Sequence, residues 1–446
     1  MSLGSSASRA KISLLTATAI VVANMVGTGV FTSLGFQVGD LPSGFTILML
    51  WLVGGICALC GALCYGELAA ALPRSGGEYH LLSQVYHPAA GFLAGWLSAT
   101  VGFAAPIALA AMAFGKYFAH VAPLSSPLLM SIGLVVLVTL IHLRGVGVGA
   151  VFQNVATAFK VALILGLIGA GLAMTSPQPV SFLPHAGASG LITSAPFAVS
   201  LVYVMYAYSG WNASAYIVGE IERPGRNVPL SLAIGTSLVA LLYLALNAVL
   251  FRSAPLAELS GAGEEVSHIA AAHIFGAAGG KIIAGLISFG LISSISAMTW
   301  IGPRVTMAMG EDYRAFAFLG RKNQAGVPAR ALWLQLGIVV FLLSLGSFAT
   351  VLTYIQFALT VCSFFTVLGV MVLRFRQPAL PRPYRTWGYP VTPLIFLAIS
   401  LWMMIHIFRS NPRESLAGLG TLGLGLLVYF ASPKRADLPL TSSATP

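Results

Sequence analysis

Charge is what this sequence lacks. Only 8% of its 446 residues are Asp, Glu, Lys or Arg, against about 25% in an ordinary soluble domain. A chain so poor in charge cannot clothe a water-facing surface. With 57% hydrophobic residues and a mean hydropathy of +0.89, lipid must be the solvent for most of it. No acidic, Ser-rich or Gln-rich stretch suggests a soluble appendage beyond short tails. Cysteine is scarce as well. Cys57, Cys60 and Cys64 share one face of the second apolar stretch, with no histidine near them, and Cys362 stands alone. That pattern is one of small buried residues and not of a metal site. No cysteine falls in an expected external loop, so no disulfide-linked ancillary subunit is expected. The eight histidines form no HExxH, and His268 and His273, five apart in a polar outer loop, make a poor metal pair. Neither a catalytic triad nor a phosphate loop is present, and the GxGxxG-like fragments lie in apolar helices without the strand such a motif needs. No catalytic residues, no metal and no cofactor are therefore expected. The polar Met1–Lys11 segment, followed by a glycine-broken apolar run, does not have the form of a cleavable leader.

What is abundant is apolar stretches of about 20 residues, the length that spans a bilayer as a helix. Twelve are expected, at 13–36, 44–71, 91–118, 126–143, 150–174, 192–219, 230–252, 273–309, 330–347, 350–375, 391–409 and 415–431. The eighth is long enough to include an interfacial turn. The 48 glycines and 24 prolines are no sign of disorder, since membrane helices tolerate both. A net charge of +11 would suggest nucleic acid in a soluble protein, but here its distribution decides. With the N-terminus cytoplasmic, only Lys116, Arg252, Lys281, Arg409 and Arg413 of the 23 basic residues fall outside, and Lys160 lies in mid-membrane. All the others fall inside, as the positive-inside rule requires. The expectation is a plasma-membrane protein with both termini cytoplasmic, its partners being the lipid bilayer and a small solute, with no nucleic acid.

Helices in a bilayer must satisfy their own backbone, so breaks in them are informative. The first stretch carries Gly27-Thr28-Gly29-Val30-Phe31 midway along, and the sixth carries Tyr206-Ala207-Tyr208-Ser209-Gly210-Trp211 at a comparable depth. Paired interruptions at corresponding positions mark the binding site of an inverted-repeat transporter. They divide the chain into a cytoplasmic tail (1–12), a first repeat (13–174), a second repeat (192–375), two further helices (391–431) and a cytoplasmic tail (432–446). The Gly145-Val146-Gly147-Val148-Gly149 stretch and the Gly418/Gly420/Gly423/Gly425 series are read as helix packing only.

A broken helix presents free N–H groups at the start of its second half and free carbonyls at the end of its first. The N–H groups of Thr28, Gly29 and Val30, with the Thr28 hydroxyl, are therefore placed to hold a carboxylate. Carbonyls near Met25, Val26, Tyr206, Ala207 and Ser209 are placed to hold an ammonium. Together they suit a zwitterion, that is, an α-amino acid. Sugars would want many carboxamide and carboxylate side chains, and these helices have few.

The motifs go further. Gly27–Phe31, Gly61-Ala62-Leu63-Cys64-Tyr65-Gly66-Glu67-Leu68, Leu72-Pro73-Arg74-Ser75-Gly76-Gly77-Glu78-Tyr79, Tyr208–Asn212, Glu220–Pro229 and Arg382-Pro383-Tyr384-Arg385 occur in order along the chain. In these the chain resembles the amino acid–polyamine–organocation (APC) superfamily, in particular its L-type-like amino acid permeases. The resemblance implies an all-α LeuT-like fold of twelve transmembrane helices with a 5+5 inverted repeat and two C-terminal helices, and transport by alternating access. It also implies that Gly27, Thr28 and Gly29 hold the substrate carboxylate, and that the main chain of Tyr206, Ala207 and Ser209 holds its ammonium.

Lys160 is the sharpest single residue, since a charge ten residues into the fifth span is costly unless paired or deprotonated. Sodium-coupled members of the superfamily hold an ion between the first, fifth and eighth helices, and in several sodium-independent members a fifth-helix lysine stands in its place. Lys160 matches that position, with Ser293, Ser294 and Ser296 as hydroxyl partners from the eighth helix, which implies sodium-independent transport. A fixed cation favours exchange or facilitated diffusion, whereas a titrating one would permit proton coupling; both stay open. Tyr203, Tyr206, Tyr208 and Trp211 either gate the pocket or pack, and Ala104 and Ala105 in the third helix leave room near its centre. Glu67, Arg74 and Glu78 resemble family residues of cytoplasmic ion pairs, and a solvated loop is the alternative. A polyamine or organic-cation carrier would call for acids in the pocket stretches 22–31 and 203–212, which hold none. A membrane-embedded enzyme would need clustered intramembrane acids or histidines, and a channel would not need paired breaks.

Overall fold

The computed structural model describes residues 12–123, 126–145, 150–313 and 316–432. Apart from Ile12 and Ser432, both expected tails lie outside the described residues, as do Arg9, Lys11, Arg314, Lys434, Arg435 and the middle of the Gly145–Gly149 stretch. The described chain is helical, with an isolated bridge between Ile12 and Ile221 and no strand among the described residues.

In order, the helices are α1 (Leu14–Met25), α2 (Gly29–Gln37), α3 (Gly44–Ala71), α4 (Gly77–Val85), α5 (Pro88–Leu97), α6 (Ala104–Ala119), α7 (Pro127–Leu143), α8 (Ala150–Leu172), α9 (Ala188–Ile192), α10 (Ala195–Tyr208), α11 (Ala213–Tyr216), α12 (Pro224–Ser253), α13 (Leu256–Ser260), α14 (Val266–Asp312), α15 (Ala329–Ser344), α16 (Phe348–Arg376), α17 (Val391–Ser410) and α18 (Pro412–Ala431). Among the described residues nine helices, counting α1–α2 and α5–α6 each as one, are long and apolar enough to cross a membrane. Three shorter apolar helices, α7, α10 and α15, occupy the stretches 126–143, 192–219 and 330–347. This is a multi-pass membrane protein. Its outer surface carries large apolar side chains such as Leu15, Leu241, Phe341 and Phe430, which only lipid solvates favourably.

Local chemistry sets the ends. Ser13, Ser43, Ser194 and Ser347 each accept from a backbone N–H three residues on, capping α1, α3, α10 and α16. α5 and α6 are joined through a π turn at Ser98–Gly102, so Ala104 and Ala105 open α6 directly after a distortion of the third span. The long eighth span is interrupted at Gly276 (φ 78°, ψ 171°), which supplies the expected turn near its outer end. The core runs through the middle of the bundle, where α1, α2 and α10 are enclosed by α3, α12, α14 and α16.

Candidate functional site

Both expected breaks are present. α1 ends at Met25, Val26 leaves the helical region (φ −75°, ψ 85°), and α2 restarts at Gly29 with no side chain capping its first turn. The N–H groups of its start therefore have no intrahelical acceptor. α10 ends at Tyr208, Ser209 is extended (φ −53°, ψ 144°), and Gly210 takes φ 98°, a conformation that L side chains resist. The sixth span thus breaks at Ser209 and Gly210, inside the expected Tyr206–Trp211 stretch, and continues as α11.

The breaks interlock. A Cβ on Gly29 would lie 2.5 Å from the Ala207 Cα, and a Cβ on Gly210 would lie 2.8 Å from the Asn24 carbonyl carbon. Only glycine permits either approach. Gly27 differs: a Cβ there would meet nothing closer than the Met25 oxygen at 4.0 Å, so it borders open space. Along the first span Ala19 and Asn24 are exposed and Gly27 partly so, whereas Thr28 to Gly35 are all buried.

On the α2 side the breaks are covered by rings. Phe36 stacks on Tyr203 (5.0 Å between centroids) and on Phe348 (5.4 Å), and Tyr206 meets Phe348 edge-on at 6.4 Å. Ser33 Oγ donates to the Tyr203 carbonyl at 3.1 Å, and the Phe31 carbonyl accepts from Tyr117 and Ser267, each at 2.8 Å. The Tyr206 hydroxyl faces the Thr28 side chain. Tyr203 and Tyr206 thus roof the breaks. Tyr208 and Trp211 do not: Tyr208 is wholly buried, donates to the Trp51 carbonyl at 3.2 Å and packs on Trp51 and Tyr243, while Trp211 packs on Tyr65 and Phe396. Both pack against neighbouring spans, and the break at Ser209 leaves Tyr208 on a complete helix that faces α3 and α12. Ala104 and Ala105 are buried at the head of α6.

Beside the first break, Lys160 is 2% exposed and donates from Nζ to the Val26 carbonyl (2.7 Å) and to Ser294 Oγ (3.3 Å). It therefore joins α8 to the broken backbone of the first span and to α14. Of the three serine candidates, only Ser294 meets it. Ser293 donates back to the Gly290 carbonyl at 2.8 Å, and Ser296 pairs with His142 Nε2 at 3.0 Å, since they stand one and two residues from Ser294 and so point in different directions from it. The Met25 carbonyl accepts from Tyr243 at 2.6 Å. Two carbonyls expected to face a substrate ammonium thus already hold one donor each, with a second lone pair remaining. Tyr243, Phe36 and Phe348 were not singled out from the sequence, because lone aromatics in apolar runs carry no signal there.

Glu67 is no solvated loop residue. It is 2% exposed, and its oxygens accept from Arg374 Nε (2.8 Å) and Nη2 (2.6 Å) and from the Thr386 backbone and hydroxyl (2.7 Å each), with Arg382 Nε at 3.4 Å. This clamp ties α3 to α16 and to the segment after it. Glu78 is buried as well, but without a cation. Two surface hollows of about 540 and 440 Å³ lie away from the breaks, along residues 177–182 with Arg252 and beside Ala170–Ser176 with His273–Phe275.

An all-helical multi-pass protein with two interrupted spans locked together at its centre has the arrangement through which secondary transporters hold their solutes. The comparisons agree. Residues 12–419 match the family described as Amino acid permease, and the chain belongs to that family. It is similar to the serine/threonine exchanger SteT of Bacillus subtilis, 27% identical over 439 residues that cover 95% of this chain and 97% of that one. It is also similar to the b(0,+)-type amino acid transporter 1 of Mus musculus (26% over 433 residues, 94% and 87% covered). A third relative is the Asc-type amino acid transporter 1 of Mus musculus (25% over 438 residues, 94% and 80% covered).

Proposed function

We propose that this chain is a sodium-independent carrier of α-amino acids, neutral ones in particular, working by alternating access as an exchanger. The observation that carries this reading is the interlocked pair of breaks beside the Lys160 ammonium. The free N–H groups of Thr28, Gly29 and Val30, at the positive end of α2, seat a carboxylate. Carbonyls at the end of α10, among Tyr206, Ala207 and Ser209, seat the ammonium, aided by the remaining lone pairs of Met25 and Val26. Gly27 borders the open space into which the rest of the solute fits.

Lys160 supplies a permanent cation where a sodium ion would otherwise bridge carbonyl and hydroxyl oxygens of the first and eighth spans. Exchange is favoured over proton-driven uptake by its two contacts, which hold a charged ammonium in place, and by the exchanger named among the relatives. Nine long and three shorter apolar helices support twelve spans arranged as five plus five plus two. The basic residues support cytoplasmic termini and residence in the plasma membrane. All four cysteines are buried, which supports the absence of a disulfide-linked subunit.

The test is counterflow into liposomes. Vesicles loaded with an unlabelled neutral amino acid should accumulate the labelled one at the same rate when choline replaces sodium. Strict sodium dependence overturns the role given to Lys160. Uptake of polyamines without amino acids overturns the zwitterion site.

A further inference from the structure

Two carboxylates are buried at the end of the bundle that carries Ile12, and they are built in opposite ways. Glu67 is saturated with cations. Glu78, in the first turn of α4 and 6% exposed, has none. Its Oε1 accepts from the Tyr65 hydroxyl of α3 and from Ser363 Oγ of α16 at 2.9 Å. The other titratable groups facing it are Cys362 on α16 and Tyr216 on α11, and α5 carries no titratable side chain. Arg374 and Arg382 are held by Glu67, and the field of Arg74 falls on Tyr79 and His80. An ionised carboxyl in such a place, among neutral donors only, costs several kcal/mol, and a buried acid of this kind keeps its proton instead.

The position matters because of what α4 touches. A Cβ on Gly77 would lie 2.1 Å from the Tyr216 ring, the Gly76 N–H donates to the Tyr216 carbonyl at 3.3 Å, and the Gly219 N–H donates to Ser75 Oγ at 3.1 Å. The hairpin that carries Glu78 is thus fastened to α11, the continuation of the sixth span beyond its break.

We propose that Glu78 is a proton-binding site which, when protonated, holds α4 on α11, α3 and α16 and so stabilises the conformation in which Asn24 is exposed. The inference rests on the alternating-access reading above, because only a conformational change gives the carboxyl a second environment. Burial raises the Glu78 pKa above the ordinary carboxylate value, while the Tyr65 and Ser363 hydroxyls pull it partly back. The sign follows from linkage. A conformation that raises an acid's pKa is favoured at pH below the ordinary value, and loses that advantage as pH rises through the raised one.

The test uses the purified full chain. In detergent, as the pH is lowered from neutral, its infrared spectrum should gain a protonated-carboxyl C=O band at a higher pH than an ordinary carboxyl gives, and Glu78→Gln should remove it. An Asn24→Cys variant should then be labelled by a polar thiol reagent, since Asn24 is exposed and the native cysteines are buried. Its labelling rate, relative to the same variant carrying Glu78→Gln, should fall by up to about tenfold per pH unit as the carboxyl ionises. Ser363→Ala, which removes a donor to the charged form, should move that fall to higher pH. A band that survives Glu78→Gln, or a ratio flat from acid to alkaline pH, overturns the proposal. Neither readout needs an amino acid to be carried. Failed counterflow with both signals present would sink the transport reading alone, and normal counterflow without them would sink the proton site alone.

Discussion

Replacing Lys160 by Met keeps the length and apolar contacts of its stem, which runs beside Gly290, and removes only the ammonium. The bond to the Val26 carbonyl is short at 2.7 Å and buried, and a hydrogen bond from a charged donor contributes about 1.5–3 kcal/mol net. The 3.3 Å contact to Ser294 is long for an N–H···O bond and counts for less. Losing the ammonium also strands the Val26 carbonyl, which has left the helix and has no other donor to replace it. These effects overlap, and together they amount to about 2–4 kcal/mol in the conformation where the three spans meet. At 1.4 kcal/mol per factor of ten, the initial rate of counterflow should drop about 30- to 1,000-fold. Gel filtration and thermal melting would establish that the variant is folded. A folded Lys160→Met protein exchanging within threefold of the parent would refute the bridging role.

Gly29→Ala should abolish exchange, since its methyl would sit 2.5 Å from the Ala207 Cα. Gly27→Ala should fold normally and raise the KM, because its methyl enters open space; equal effects of the two in a paired uptake assay would contradict the interlock. Glu67→Gln leaves Arg374 and Arg382 without a counter-charge, and should cost about 3 kcal/mol, read as a lower melting temperature in detergent; an unchanged melt would show the clamp to be idle. Phe36→Ala removes two ring stacks worth about 1–3 kcal/mol. It should speed the reaction of a cysteine placed at Gly27 with an impermeant reagent added outside, and an unchanged rate would mean that the rings are not the seal.

The first break was legible because the glycines at 27 and 29, which alone read equally as packing, are paired with a second interruption in the sixth span. The second was bracketed by residues 206–211 but not resolved further, because Tyr206 and Tyr208 look like a disruption in one dimension yet complete the helix in three. Only Gly210 could take the positive φ that turns the chain. Lys160 was legible from the cost of a charge at its depth, but not its hydroxyl partner. Ser293, Ser294 and Ser296 differ only in helical phase, and the phase of α14 is set by its packing on α6 and α8. The clamp on Glu67 joins residues 307 and 319 positions apart, and no local pattern encodes such a pairing. Glu78 was read either as an ion-pair residue, by likeness to a family loop, or as a solvated one. That every neighbour is a neutral donor became visible only when α3, α11 and α16 were brought around it.

Lys160 and the interlocked breaks, taken together, bear on what the carrier exchanges. Gly29 against Ala207 and Gly210 against Asn24 leave no room for sliding, so at this level the two broken spans behave as one body. Lys160 lies on the boundary of that body: its backbone belongs to α8, one contact reaches the first span, and the other reaches α14. A sodium ion at such a boundary would bind and leave, and each departure would let an ion gradient bias the motion. A tethered ammonium that keeps its proton adds the same term to every cycle and couples no gradient. In the proposed site, what then differs between the loaded and the empty protein is the substrate, with its carboxylate and ammonium on the two breaks. On that reading, the return step is fast only when a second amino acid fills the site. Exchange then follows from the fixed position of one charge, and net uptake into empty vesicles should be slower than counterflow.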